Sequence, residues 1–180
     1  MKWAIGRLTD YCEAEYEAAY KDLSLSRKMR INRLKLEKDK KRSLLGEILL
    51  KKLLKEEKVV AEILSSDNGK PYLSDDSFCV SISHSGEMAA VALSDNAIGI
   101  DVEEIREITP ELIKKVCTEK EKEYIESSED KNSAFLEVWT AKEAYFKKQG
   151  TGITNLKSVE IFDLKRELIE IDGYILQIVY

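Results

Sequence analysis

Two carboxylates one residue apart, and a third farther along the chain, are the first candidates for chemistry. In Ile98-Gly99-Ile100-Asp101-Val102-Glu103 the alternation is that of a strand, where every second side chain shares a face. Ile98, Ile100 and Val102 would point into a core, and Gly99, Asp101 and Glu103 the other way. Two carboxylates on neighbouring same-face positions repel each other unless a cation lies between them. Hard oxygen ligands of this kind suit Mg²⁺, which takes one or two carboxylates plus substrate phosphates and water. Gly99, without a side chain, would let a ligand approach the backbone. The hexapeptide alone reads equally as a metal-ligand pair or as a solvated acidic strand end. The third carboxylate is Glu143, in Trp139-Thr140-Ala141-Lys142-Glu143-Ala144-Tyr145-Phe146-Lys147. Glu143 and Lys147 are neighbours on one helix face. As a surface ion pair they would contribute only ~0.3–0.5 kcal/mol. Trp139, one turn earlier on that face, argues that the face is not fully solvated. Three carboxylates and a fixed cation are a kit for phosphoryl chemistry.

A second cluster is Ser81-Ile82-Ser83-His84-Ser85-Gly86, which contains the only histidine. Hydroxyls, exposed amides and an imidazole at a strand end could cradle a phosphate. A Ser-His hydrolase is the alternative, weakened by the lack of a GxSxG elbow. Asn68-Gly69-Lys70-Pro71 is a turn by default, and it offers a lysine to an anionic ligand.

These residues need elements to hold them. Strands are expected at Lys2–Leu8, Val59–Leu64, Phe78–Ser83 and Met88–Leu93. Ile98–Glu103 is expected to be the hairpin partner of Met88–Leu93 through an Asp95-Asn96 turn. The tail from Lys157 reads as further strands broken at Lys165-Arg166 and Asp172-Gly173. Helical spacing marks Glu13–Leu23, a basic segment from Ser26, and Lys38–Lys55, whose stripe is Leu44, Leu45, Ile48, Leu49, Lys52 and Leu53. It also marks Pro110–Val116, Glu119–Ser127 and Ser133–Lys148, the last ended by Gly150 and Gly152. Helix followed by strands occurs twice, which suggests an α+β chain of two similar halves.

The 180 residues suit one ordinary domain or two small halves sharing a core. Hydrophobic residues are 43% and charged residues 35%, the balance of a globular protein with a highly charged surface. No apolar run approaches the roughly 20 residues that span a bilayer, and Met1–Leu8 has no signal-peptide core. Cys12, Cys79 and Cys117 form no CxxC pair, so a reduced, cytoplasmic setting is expected, with all three as filling. Net charge is −5, but Arg27–Lys58 holds thirteen Lys/Arg against five Asp/Glu, which is +8 and leaves −13 elsewhere. The basic stretch suggests either an anionic partner or a solvated face laced with ion pairs. The acidic pI of about 5.2 and few interleaved aromatics speak against nucleic acid.

Taken in order, the segments resemble the 4′-phosphopantetheinyl transferases of the surfactin type. The matching pieces are Arg42-Ser43-Leu44-Leu45-Gly46, Gly69-Lys70-Pro71, Ser81-Ile82-Ser83-His84-Ser85, Ile98–Glu103 and Trp139–Lys147. The resemblance covers roughly residues 27 to 153. It implies a pseudo-dimeric α+β fold, each half a long helix packed on a small antiparallel sheet. Residues 1–94 would supply contacts to coenzyme A's phosphates and adenine, and residues 95–180 the metal site and catalytic helix.

The implied reaction moves phosphopantetheine from coenzyme A to a serine of an acyl or peptidyl carrier protein and releases 3′,5′-ADP. By motif, Asp101, Glu103 and Glu143 are implied Mg²⁺ ligands, with Glu143 and Lys147 catalytic. Arg42, Ser83 and His84 are implied contacts to coenzyme A, as are Lys147 and Asp101 at its diphosphate. Gly69, Lys70 and Pro71 would wall the adenine. Arg27 and Arg30 fall where the family has two phosphate-binding lysines. Partners would be coenzyme A and a carrier protein, with no nucleic acid and no membrane. A monomer is expected; a shorter C-terminal part than in surfactin-type chains leaves a homo-oligomer open. The other reading is a non-catalytic coenzyme A or carrier-binding module, and a third is a Mg²⁺-dependent phosphohydrolase.

Overall fold

The structure is a computed structural model that describes residues 1–180. Two long helices organise it. The first, α3 (Glu37–Glu56), buries Leu44, Leu45, Leu49, Leu50, Leu53 and Leu54 along one side. The second, α6 (Lys131–Gln149), starts at Asp130, whose carboxylate accepts from the amides of Asn132 and Ser133. It stops at Gly150, which takes the left-handed φ of 71° that a C-cap needs. Two shorter helices precede α3: α1 (Glu13–Lys21) and α2 (Leu25–Asn32). Two more, α4 (Pro110–Val116) and α5 (Glu119–Ser127), precede α6.

Each long helix covers a three-stranded antiparallel sheet. The strands are β1 (Lys2–Arg7), β2 (Ile63–Ser65), β3 (Pro71–Leu73), β4 (Cys79–Ser85), β5 (Met88–Ser94), β6 (Gly99–Glu104), β7 (Arg166–Ile171) and β8 (Tyr174–Val179). One sheet has the order β1-β5-β4, the other β6-β8-β7, and β2 and β3 form a separate ribbon. Strand alternation sorts the central strand β5 cleanly. Ala89, Val91 and Leu93 join the leucines of α3 in one core. Met88, Ala90 and Ala92 face the other way, onto Ile98, onto Ile100 and Val102 of β6, and onto Tyr174, Leu176 and Ile178 of β8. Ile175 packs with Phe135, Val138 and Ala141 of α6 in a third core. The layers are therefore helix, sheet, sheet, helix: two similar α/β halves, joined through their sheets.

Four expectations are corrected. β5 and β6 are not a hairpin: β5 pairs with β1 and β4, while β6 pairs with β8. Both edges of β5 are taken, so the Asp95-Asn96 turn carries the chain from one sheet to the other. Only Ile63 and Leu64 of the segment expected over Val59–Leu64 are in a strand; Val60 is almost wholly exposed. Gly99 admits no ligand, because helix α6 lies where a Cβ would stand, against the Ala144 carbonyl oxygen. The three cysteines are unpaired, and only Cys117 fills core space, since Cys12 and Cys79 are exposed. No helix is long and apolar enough to cross a membrane.

Candidate active site

The seam between the halves gathers most of the residues singled out above. β6 is an edge strand of its sheet, and β4 is an edge strand of the other. Strand alternation turns Val80 and Ile82 of β4 toward α3, and so turns Ser81, Ser83 and Ser85 toward β6. The Ser83 hydroxyl donates to Asp101 Oδ1 at 2.7 Å and accepts from Lys147 Nζ at 2.8 Å. Lys147, reaching across from α6, also lies 2.6 Å from Asp101 Oδ1. One carboxylate oxygen thus takes a lysine and a serine. Asp101 Oδ2 is buried with no partner at all. Burial pushes the Asp101 pKa up, and the Lys147 ammonium pulls it down.

Glu103, two residues along the strand, accepts from Ser85 Oγ at 2.8 Å and from Arg106 Nη1 at 3.0 Å, both on Oε2. Glu143 lies on α6 one turn before Lys147. Its pKa is raised to about 7, first by burial and then by the negative charge of Asp101, with Glu103 adding to it and Lys147 opposing. The three carboxylates therefore feel one another. They do not form a ready-made metal cage, since no three metal-ligating side chains stand close enough to grip an ion. The donor chemistry nevertheless fits a hard divalent cation. The donors are carboxylate oxygens, one of them buried and unpartnered, on side chains that repel each other without a counter-charge.

Beside this cluster a cavity of about 220 Å³ takes walls from both halves. Arg30, Gly69, Lys70, Pro71 and Ser81 come from the first half, and Glu143, Phe146, Lys147 and Gly152 from the second. The loop before β3 is tied to the end of α6: Asn68 Nδ2 donates to the Gly150 carbonyl at 3.1 Å, and Lys70 Nζ to that of Lys148 at 3.3 Å. Arg30 and Lys70 have no carboxylate within ion-pair distance, and burial lowers the pKa of both. Unpaired, partly desolvated cations lining a cavity make it an anion site. A larger groove of about 660 Å³ between Asp22–Ser24 and Lys58–Ile63 contains none of the candidate residues.

His84 and Arg42 sit near this cluster. His84 is an exposed residue, yet partial desolvation, then Lys147 and Arg42, lower its pKa. It makes no hydrogen bond to a serine, so the arrangement gives no Ser-His pair. Arg42 is held by Asp39, and its buried Nε lacks a partner. Arg27 departs from the expectation. It is buried, its Nε donates to Glu47 Oε1 at 2.5 Å, and its Nη1 donates to Ser65 Oγ at 2.9 Å. Its guanidinium fastens α2 to α3 and β2, leaving Arg30, one turn on, as the arginine at the cavity. The same accounting explains much of the basic stretch. Lys38, Lys40, Lys41, Arg42 and Lys51 are each paired with a nearby carboxylate.

Sequence reasoning missed Lys142. It is fully buried beside Glu143, donating to Glu121 Oε2 at 2.6 Å and to the Val116 carbonyl at 3.0 Å. The other Glu121 oxygen accepts from the Ile161 amide at 3.2 Å. This pair seats α5 on α6. Two signals were present: Lys142 falls four residues after the core position Val138, and Thr118-x-x-Glu121 is a capping box.

Comparison with known proteins agrees with this geometry. Residues 10–96 match the family model described as 4′-phosphopantetheinyl transferase, N-terminal. Residues 97–174 match that of the 4′-phosphopantetheinyl transferase superfamily. The 4′-phosphopantetheinyl transferase gsp of Aneurinibacillus migulanus is 38% identical over 122 residues, which is 64% of this chain and 51% of the relative. The 4′-phosphopantetheinyl transferase psf-1 of Bacillus pumilus is 33% identical over 125 residues, 64% of this chain and 53% of the relative. The chain thus spans about half the length of the curated relatives it matches. The crystal structure of Thermotoga maritima holo-[acyl-carrier-protein] synthase superposes with a TM-score of 0.41 at 20% identity, over 46% of this chain and 61% of that one. That likeness is too partial to argue from. The two family models divide the chain between them and carry one family description, and the chain belongs to the 4′-phosphopantetheinyl transferase superfamily.

Proposed function

We propose that this chain transfers the 4′-phosphopantetheine arm of coenzyme A to a serine of an acyl or peptidyl carrier protein and releases 3′,5′-ADP. The observation that carries the reading is the juxtaposition at the seam: Asp101 with a buried unpaired oxygen, Lys147 beside it, and Glu143 raised to about 7. A cavity lined by Arg30, Lys70 and Lys147 adjoins them. A Mg²⁺ ion held by Asp101, Glu103 and Glu143 would neutralise charge on the diphosphate. Arg30 and Lys70 receive the nucleotide's anionic groups, and His84 and Arg42 contact the 3′-phosphate. Gly69 and Pro71 wall the adenine, and Ser83 orients Lys147.

Glu143, or a water it orients, is placed beside Asp101 and Lys147 to take a proton. It accepts the proton of the carrier serine as that oxygen attacks the β-phosphorus. The bond from the β-phosphorus to the bridging oxygen breaks, and Lys147 steadies the departing 3′,5′-ADP. Most of the acceleration comes from positioning and charge stabilisation.

In this reading residues 1–94 bind the nucleotide and residues 95–180 carry the metal and the catalytic helix. One chain supplies both walls of the cavity, which supports a monomeric working unit. The three unpaired cysteines fit a reducing cytoplasm. The test is to incubate the protein with coenzyme A, Mg²⁺ and an apo carrier, and to weigh the carrier by mass spectrometry. A gain of one phosphopantetheine arm is expected. Binding without gain points to a non-catalytic module, and breakdown of coenzyme A without a carrier points to a phosphohydrolase.

A further inference from the structure

The two half-sheets meet at β4 and β6 without a single backbone ladder bond between them, since β4 pairs only with β5 and β6 only with β8. Serine hydroxyls take the ladder's place. Ser81 Oγ accepts from the Ile100 amide at 3.1 Å, and Ser85 Oγ accepts from the Glu104 amide at 3.3 Å. Ser83 Oγ, between them, meets the Asp101 side chain. β4 and β6 therefore run side by side in parallel, each serine reaching a position 18 or 19 residues later in the chain. The free edge of β6, whose amides would otherwise be unpaired, is closed by side chains of the other half.

We propose that Ser85 is a positioning residue that sets the orientation of Glu103 toward the divalent cation, through the hydroxyl bridge it forms across the seam. The inference rests on the reading of Asp101 and Glu103 as cation ligands. A hydroxyl has one proton and two lone pairs, and Ser85 uses both capacities on adjacent residues. It accepts from the Glu104 backbone and donates to Glu103 Oε2 at 2.8 Å. One atom thus ties the Glu103 carboxylate to the backbone of the strand that bears it. Arg106 reaches the same oxygen, but from an exposed side chain, whereas Ser85 is half-buried at the seam. No protein group donates to Glu103 Oε1, so that oxygen is left for a cation. Hydrogen bonds that orient a ligating carboxylate are worth about 10–100-fold in metal affinity.

The test measures Mn²⁺ binding by electron paramagnetic resonance, on the full chain with coenzyme A and no carrier. Wild type is compared with Ser85→Ala, Ser85→Thr, Ser85→Val and Glu103→Ala, with thermal melts alongside. Ser85→Ala is expected to weaken Mn²⁺ binding about tenfold. Threonine and valine share a shape and differ by the hydroxyl, so Ser85→Thr is expected to bind more tightly than Ser85→Val. In the transfer assay, the Mg²⁺ concentration for half activation should rise by about the same factor in Ser85→Ala, with the rate at saturating Mg²⁺ within about twofold. If Ser85→Ala binds Mn²⁺ as wild type does, or threonine and valine bind alike, the inference is overturned. Should alanine fail to fold, the threonine–valine comparison decides. Loss of Mn²⁺ in Glu103→Ala with none in Ser85→Val overturns this inference alone. Retention in Glu103→Ala removes Glu103 as a ligand, and the inference with it.

Discussion

Replacing Glu143 by glutamine should make the protein more stable at pH 8 while abolishing transfer. Burial and the Asp101 charge raise the Glu143 pKa from 4.5 to about 7. A carboxyl whose pKa is raised on folding contributes stability that is complete below its ordinary pKa and is lost as pH rises through the folded value. Wild type should therefore lose stability between about pH 4.5 and just above pH 7. That rise corresponds to about 3 kcal/mol. Glu143 is only half-buried, and solvent screening reduces that to about 1–2 kcal/mol. Glutamine keeps the shape and never ionises. In chelator-treated buffer, Glu143→Gln should melt about 3–6 °C above wild type at pH 8. Near pH 5, where the wild-type group is protonated, the two should melt close together. Equal shifts at both pH values, or a lower melting point for the variant at pH 8, would refute the electrostatic reasoning.

Other substitutions separate scaffold from site. Gly99→Ala puts a methyl into the Ala144 carbonyl; parting α6 from β6 should cost about 1–3 kcal/mol in urea unfolding. Arg27→Ala leaves Glu47 buried and unpaired and should cost about 3–5 kcal/mol, whereas Arg30→Ala should melt within a few degrees of wild type and weaken coenzyme A binding by calorimetry. Lys142→Met strands Glu121 in the core and should also cost about 3–5 kcal/mol. Most of this loss should be recovered when Glu121→Gln is added, as urea midpoints would show.

Local signals were legible where one element decides the outcome. The leucine spacing of α3, the Gly150 end of α6 and the alternation in β4 and β6 all stand in the chain as they do in the structure. Partners across the fold were not legible. The Asp95-Asn96 turn looks like any hairpin turn, and only the occupied edges of β5 send the chain to a second sheet. Gly99 is small because a helix backbone passes over it, a fact about α6 that no strand pattern contains. Arg27 and Arg30 are alike in sequence, and they separate only because Glu47 and Ser65 claim the first. Spacing alone left Asp101 and Glu103 apart from Glu143 and Lys147, and it was the resemblance that implied one cluster. What spacing left out is that Ser83 and Lys147 share an oxygen of Asp101 while the other is unpartnered.

The most direct measurement is the mass of an apo carrier protein after incubation with coenzyme A, Mg²⁺ and either wild type or Asp101→Ala. The account predicts that wild type adds one phosphopantetheine arm to the carrier serine and that Asp101→Ala, folded by its melting curve, adds none. An unmodified carrier with wild type, tested across fatty-acid, polyketide and peptide carriers, would contradict transfer. Full modification by Asp101→Ala would contradict the site.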